Sequence, residues 1–201
     1  IHGPWAEEAA WQEWAEPLLL AAIEQCPAEI VRFDFSGHVE NFRLAALAER
    51  LGWTASQVNH AMVTPAGAVA DWPRLAGVRA ATAADLAGIS ALHEPEFPTA
   101  YATVRQLVTD HTTLVVERDG TVVGYAAGQL QDDGEAYIDF MAISDSFRRS
   151  GLGAGLLGEL ARALVAAGNP RIVHLTVEDS RAPARALYDS LGMSREASIR
   201  G

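Results

Sequence analysis

The sequence contains no lysine, so all 15 of its basic side chains are arginines. That absence removes a P-loop lysine, a Schiff-base lysine and a lysine general base, and several enzyme classes go with them. Cysteine is nearly absent too. A single Cys26 excludes an internal disulfide and a cysteine-based zinc site, which fits a reducing compartment, with the cytoplasm as the default expectation. Positive charge is scarce beside 26 acidic residues, and the net charge of −11 argues against a general surface for nucleic acid or an anionic membrane. Long apolar runs are missing as well. The cluster Leu18-Leu19-Leu20-Ala21-Ala22-Ile23 is far too short to span a bilayer, is flanked by acids, and reads as core. None of the six histidines pairs at His-x-His or His-Glu-x-x-His spacing, so no metal is expected. The first residue is Ile rather than Met, and the chain is expected to be cut from something longer.

What is present is an ordinary globular composition, 49% hydrophobic, enough for one good-sized core or two small ones. Its character changes near residue 75: all five tryptophans precede that point and all four tyrosines follow it. The stretch 64–73, with Pro65, Gly67 and Pro73, reads as a linker, which predicts a segment over 1–75 and a domain over 76–201. In the first part, helical spacing covers Ala6 to Gln25. Ile30 to Phe35 alternates like a strand, Asn41 to Arg50 is helical and closed by Gly52, and Ser56 to Val63 is a second strand. The same order returns over Leu152–Ala167, Arg171–Val177, Ala182–Leu191 and Ser194–Arg200. Placing Gly52 over Gly192 pairs Ala46 with Ala186, Leu47 with Leu187 and Leu51 with Leu191, which favours an internal repeat with a degenerate first copy.

From Val78 onward the pattern is a short strand, two helices separated at His93-Glu94-Pro95-Glu96-Phe97-Pro98, three antiparallel strands, and then helix, strand, helix, strand. Arg118-Asp119-Gly120 marks a hairpin and Asp132-Asp133-Gly134 a further turn. The fold class is therefore mixed α/β, a mostly antiparallel central sheet flanked by helices. In the run Arg148-Arg149-Ser150-Gly151-Leu152-Gly153-Ala154-Gly155, a strand passes through a glycine turn into a helix marked by Leu152, Leu156, Leu160 and Leu164. Unpaired N–H groups and the positive end of the helix dipole suit a phosphate there. Leu156 stands where a dinucleotide-binding turn needs its third glycine, and a P-loop fails for want of lysine.

These residues resemble the GNAT (GCN5-related N-acetyltransferase) superfamily over Val78 to Gly201. The carriers are Tyr137-Ile138-Asp139-Phe140-Met141-Ala142-Ile143, the Arg-x-x-Gly-x-Gly turn from Arg148, and the ending Leu187-Tyr188-Asp189-Ser190-Leu191-Gly192-Met193. The resemblance implies acetyl-CoA or another acyl-CoA as donor and a primary amine of a small molecule or peptide as acceptor; with one such glycine turn for two copies of the repeat, one donor site per chain is expected. It implies that backbone N–H groups of Arg149, Ser150, Gly151, Leu152, Gly153 and Ala154 hold the pyrophosphate. Met141, Ala142 and Ile143 would pair with the pantetheine arm, and Tyr188 would protonate the departing thiolate. Tyr188 reads equally as a packing aromatic. Arg148 is either a phosphate contact or a solvated charge, and Arg181 stands where the family carries an Asn, with the donor's phosphates within its reach. Strand alternation puts Glu135, Tyr137, Asp139, Met141 and Ile143 on one face. Asp139 is the candidate base, its carboxyl expected to titrate high in so apolar a strand, or else a structural hydrogen-bond acceptor; Glu135 and Glu178 are weaker candidates. Ser180 is expected to cap the last helix. His93, Glu94 and Glu96 read either as an acceptor-binding loop or as a plain polar break. A non-catalytic acyl-CoA-binding or interaction module and an O-acyltransferase are the competing functions, and an oligomer is compatible with each.

Overall fold

The structure, a computed structural model, describes residues 6–30, 33 and 36–201. One sheet of eight strands, in the order β1-β8-β2-β7-β6-β5-β4-β3, organises it. The strands are β1 (Gly37–His38), β2 (Asn59–Pro65), β3 (Val78–Ala80), β4 (Thr112–Arg118), β5 (Thr121–Leu130), β6 (Ala136–Ile143), β7 (Ile172–Glu178) and β8 (Ser194–Arg200). Every neighbouring pair is antiparallel except β6 and β7. The helices are α1 (Trp11–Glu24), α2 (Phe42–Arg50), α3 (Leu86–Glu96), α4 (Val104–Asp110), α5 (Leu152–Gly168) and α6 (Ala182–Ser190). This is the mixed, mostly antiparallel architecture that the pattern predicts.

Three apolar clusters follow from the layering. Helix α5 lays Leu152, Leu156, Leu160 and Leu164 on one face of the sheet, together with Tyr188 and Leu191 at the end of α6. Helices α3 and α4 cover the other face through Ile89, Val104 and Leu107 against Val115, Tyr125 and Phe140. A satellite joins α1 to α2 through Ala15, Leu19, Leu44 and Leu47. The hairpin between β4 and β5 turns on Asp119 and Gly120, at φ 51° and 73°, the left-handed pair that a two-residue turn requires.

The sequence expectations need four corrections. The stretch 64–73 is no linker: it completes β2 and enters a 3-10 turn over Ala66–Asp71, with Val69 and Trp72 buried in the main core. Arg162 on α5 ties it down by donating to the carbonyls of Val69, Trp72 and Pro73. Proline and glycine suit that turn as well as they suit an open loop, and local composition does not separate the two. Strand β2 then lies between β8 and β7, so the sheet runs across the expected boundary at residue 75. Its His60 is buried at this seam, holding Asp179 at 2.8 Å and Ser198 at 2.9 Å.

Second, α3 continues through Pro95 to Glu96 rather than breaking at His93. Third, Ser180 does not cap α6; its hydroxyl donates to Glu178, and Arg181 precedes the helix. The fourth correction concerns β6 and is described with the site. Of the expected strand over Ile30–Phe35, residues 31, 32, 34 and 35 lie outside the described residues.

Candidate functional site

Strands β6 and β7 pair as Ala136 with Val173, Tyr137 with His174 and Ile138 with Leu175, and the ladder ends there although both strands run on. Beyond Ile138 the two separate. The cause lies on the other edge of β6, where Ile138 faces Gly128 and Phe140 faces Ala127, leaving Asp139 as an extra residue. Such a bulge bends the strand and sharpens its twist. It also reverses the alternation: Ala136 and Ile138 face α5, but so do Met141 and Ile143, while Phe140 and Ala142 face α3 and α4. The expected single face holding Asp139, Met141 and Ile143 is therefore wrong, because one residue more occupies the strand than strict alternation allows. Gly128 permits the close approach, since a Cβ there would lie 2.6 Å from the Tyr137 carbonyl oxygen. The result is an opening between β6 and β7, edged by main-chain groups of Met141, Ala142 and Ile143 that an extended amide-bearing chain can pair with.

The glycine turn stands at the end of that opening. A 3-10 turn over Asp145–Phe147 follows β6, Arg149 and Gly151 take φ of 60° and 83°, and α5 begins at Leu152. The first helical bond runs from the Gly155 N–H to the Gly151 carbonyl, which leaves the N–H groups of Leu152, Gly153 and Ala154 facing outward without helical partners. Behind them stands the dipole of a 17-residue helix. Ser150 spends its hydroxyl on the Phe147 carbonyl and braces the turn.

Two arginines flank the opening and share one carboxylate. Arg148 donates from Nε to the Ile143 carbonyl at 3.1 Å and pairs with Asp145 and with Glu96. Arg181, across the gap, meets Glu96 twice, at 3.2 Å through Oε2 and at 2.9 Å through the main-chain carbonyl, with its guanidinium 5.3 Å from the Phe97 ring centroid. Sequence reasoning put Arg148 and Arg181 near phosphates; the structure brings them together around Glu96. His93 takes no part. It is buried, its Nδ1 lies 2.5 Å from the Tyr125 hydroxyl, and burial pushes its pKa down.

The two candidate proton carriers approach from opposite faces of the sheet. Tyr188 comes from the α5 side, where burial pushes its phenol up to about 12 against the opposing charge of Arg181. Such a phenol stays protonated and able to donate at neutral pH. Asp139 lies on the α3–α4 side with its carboxylate fully buried. The Tyr101 hydroxyl and the Gln129 amide both donate to it, the latter at 3.3 Å, and His111 Nε2 lies 3.7 Å away. Burial raises its pKa most, and those three neighbours pull it partly back. Sequence reasoning missed Tyr101, His111 and Gln129, which come from three other segments; no spacing rule joins them. Glu135 and Glu178 are engaged with Arg171 and Arg181 in half-exposed ion pairs.

Elsewhere, a concavity of about 840 Å³ lies where α2, β1 and the end of β8 meet, lined by Gly37, Asn41, Ala48, Trp53 and Arg200 among others. Among the described residues, no cluster of three or more His, Cys, Asp or Glu side chains could hold a metal ion, and no helix is long and apolar enough to cross a membrane.

Comparison with known proteins agrees with this fold. A family model described as the acetyltransferase (GNAT) family matches residues 84–193. No curated protein matches the sequence. Among solved structures, a GCN5-related N-acetyltransferase from Kribbella flavida is similar with 21% identity and a TM-score of 0.65, over 92% of this chain and 74% of that one. Another from Sphaerobacter thermophilus has 21% identity and a TM-score of 0.62, over 96% and 67%. A tandem GNAT protein from the clavulanic acid biosynthesis pathway has 18% identity and a TM-score of 0.60, over 83% of this chain and 63% of its own length. The chain thus spans roughly two thirds of the length of these neighbours.

Proposed function

The chain belongs to the GNAT acetyltransferase family, and on that premise we propose that it transfers an acetyl group from acetyl-CoA to a primary amine of a small molecule or peptide by direct attack on the thioester. The observation that carries this reading is the opening between β6 and β7 with the glycine turn at its end. A donor laid along it would place its pyrophosphate on the N–H groups from Arg149 to Ala154 and its pantetheine amides against Met141 to Ile143. Arg148 and Arg181 would exchange Glu96 for the donor's phosphates. The amine nitrogen forms its bond to the thioester carbon as the C–S bond breaks. Its proton passes to Asp139, and the leaving thiolate takes a proton from Tyr188. No covalent enzyme intermediate is involved. Release of free thiol from acetyl-CoA across a panel of amines tests the reading, and hydroxyl acceptors in the same panel test for O-acyl transfer.

A second reading, an acyl-CoA-binding module without turnover, is favoured by one observation: Glu96 occupies both arginines, one of which replaces the family's Asn. Donor binding in calorimetry without thiol release for any acceptor would select it.

We also read residues 1–75 as a partial, degenerate copy of the fold completed by 76–201. Sheet order supports this. Exchanging β1 with β7 and β2 with β8 turns β1-β8-β2-β7 into its own reverse, as two copies that trade their last strands require. Asn41 caps α2 where Arg181 precedes α6, and Ala48 stands where Tyr188 does, so the first copy has no phenol to offer.

A further inference from the structure

Asp139 has a difficulty as a base: its carboxylate has no exposed surface. An amine in the opening cannot touch it while the surrounding side chains stay in place. The groups packed on it come from four elements. Tyr101 reaches it from the segment before α4, His111 from the junction of α4 and β4, and Gln129 from β5; His174 on β7 acts on it electrostatically, lowering its pKa. Tyr137 on β6 is the remaining titratable neighbour. Of these, Gln129 has no proton to exchange, and His111 is buried, its Nδ1 turned to the Gln106 carbonyl at 3.4 Å. Tyr101 differs from all of them. It is 68% exposed, yet its hydroxyl donates to Asp139 Oδ1, and its ring packs on Phe140 at 5.3 Å between centroids. Tyr101 therefore joins the buried carboxylate, through its hydroxyl, to a side chain that solvent reaches.

We propose that Tyr101 is the proton relay by which Asp139 serves as base: the acceptor amine gives its proton to the Tyr101 oxygen while the phenol's own proton moves to Asp139 Oδ1. No phenolate accumulates, because one O–H bond forms as the other breaks, and the charge ends as a neutral carboxylic acid. Gln129 and His111 are positioning residues that hold the carboxylate with Oδ1 turned towards Tyr101. A relay of this kind needs the phenol to stay protonated at rest, which the carboxylate beside it and the burial of its hydroxyl both enforce.

The inference rests on the acyltransferase reading for its chemistry but not for its first test. In the free protein, the Tyr101 ring-carbon NMR signal should shift as the Asp139 carboxyl to which it is bonded titrates, and that shift should vanish in Asp139→Asn. An unchanged titration overturns the relay whatever the enzyme does. The second test is kinetic, at saturating donor. Tyr101→Phe, at an exposed position where folding is not at risk, and Asp139→Asn should each lower kcat by about 100-fold, the usual worth of one proton-transfer group. The double variant should be no slower than either single one, since both break the same step. Wild-type turnover by Tyr101→Phe, or losses that multiply, overturns the proposal. If the wild type releases no thiol with any amine, the acyltransferase reading falls and the NMR titration alone decides whether the Tyr101–Asp139 link exists.

Discussion

Arg181 donates two separate hydrogen bonds to Glu96, one to the carboxylate and one to the main-chain carbonyl, and the second survives any change of the Glu96 side chain. Arg181 is thereby held at the mouth of the cleft even when the carboxylate is gone. Arg148 touches Glu96 through the carboxylate alone, so that contact is lost while its bonds to the Ile143 carbonyl and Asp145 remain. Glu96→Gln should therefore tighten donor binding, by about threefold to fivefold in calorimetry at low salt, as fits a partly exposed ion pair. The gain should shrink as salt screens the competing charges. Weaker binding would mean that Glu96 positions the arginines rather than competing for them.

The bulge at Asp139 explains why the site was only half legible in the sequence. Helix and strand order, the hairpin at Asp119-Gly120 and the glycine turn are local signals, carried by periodicity and turn chemistry within a dozen residues. The bulge is a register event between β5 and β6, marked in the sequence by nothing but Gly128, one of 17 glycines. Tyr101, His111 and Gln129 reach Asp139 only through tertiary packing, as Glu96 reaches the two arginines. The placement of β2 between β8 and β7 is invisible for the same reason: alternation tells that a strand exists and which faces it shows, not which partners it takes.

Gly128→Ala tests the bulge directly. The added methyl would sit 2.6 Å from a backbone oxygen and 3.0 Å from Leu164, so the strands must move apart. A loss of about 2 kcal/mol in chemical denaturation is expected, within the usual range for overpacking. A Gly134→Ala control, with nothing within 4 Å but a φ of 81°, should cost less, about 1 kcal/mol from backbone strain alone. Equal losses would remove the close approach as the reason for glycine at 128.

At the turn, Gly151→Val forces a branched side chain into a left-handed conformation at φ 83°. Space is not the constraint, since a Cβ at this position would meet nothing within 4 Å, so the protein should fold while the N–H groups of the turn lose their aim. Acetyl-CoA affinity should fall by about tenfold or more in calorimetry, with a thermal midpoint lowered by only about 2–4 °C per kcal/mol of backbone strain. Unaltered affinity would refute the pyrophosphate site.

The pH profile separates the roles of Asp139 and Tyr188. Asp139 must be ionised to accept a proton, so kcat/KM should rise with pH through its carboxyl pKa, which burial has moved above the ordinary carboxylate value. Tyr188 must be protonated, and with its phenol near 12 it should impose no falling limb in the range where the protein stays folded. His111 acts on the first limb. Coulombic attraction to His111, 3.7 Å away, favours the ionised carboxylate, so His111→Gln should make Asp139 harder to ionise and move the rising limb to higher pH. If His111 serves packing alone, the rate would drop by the same factor at every pH and the limb would stay where it is. A limb that moves in His111→Gln and disappears in Asp139→Asn would tie both residues to the same proton.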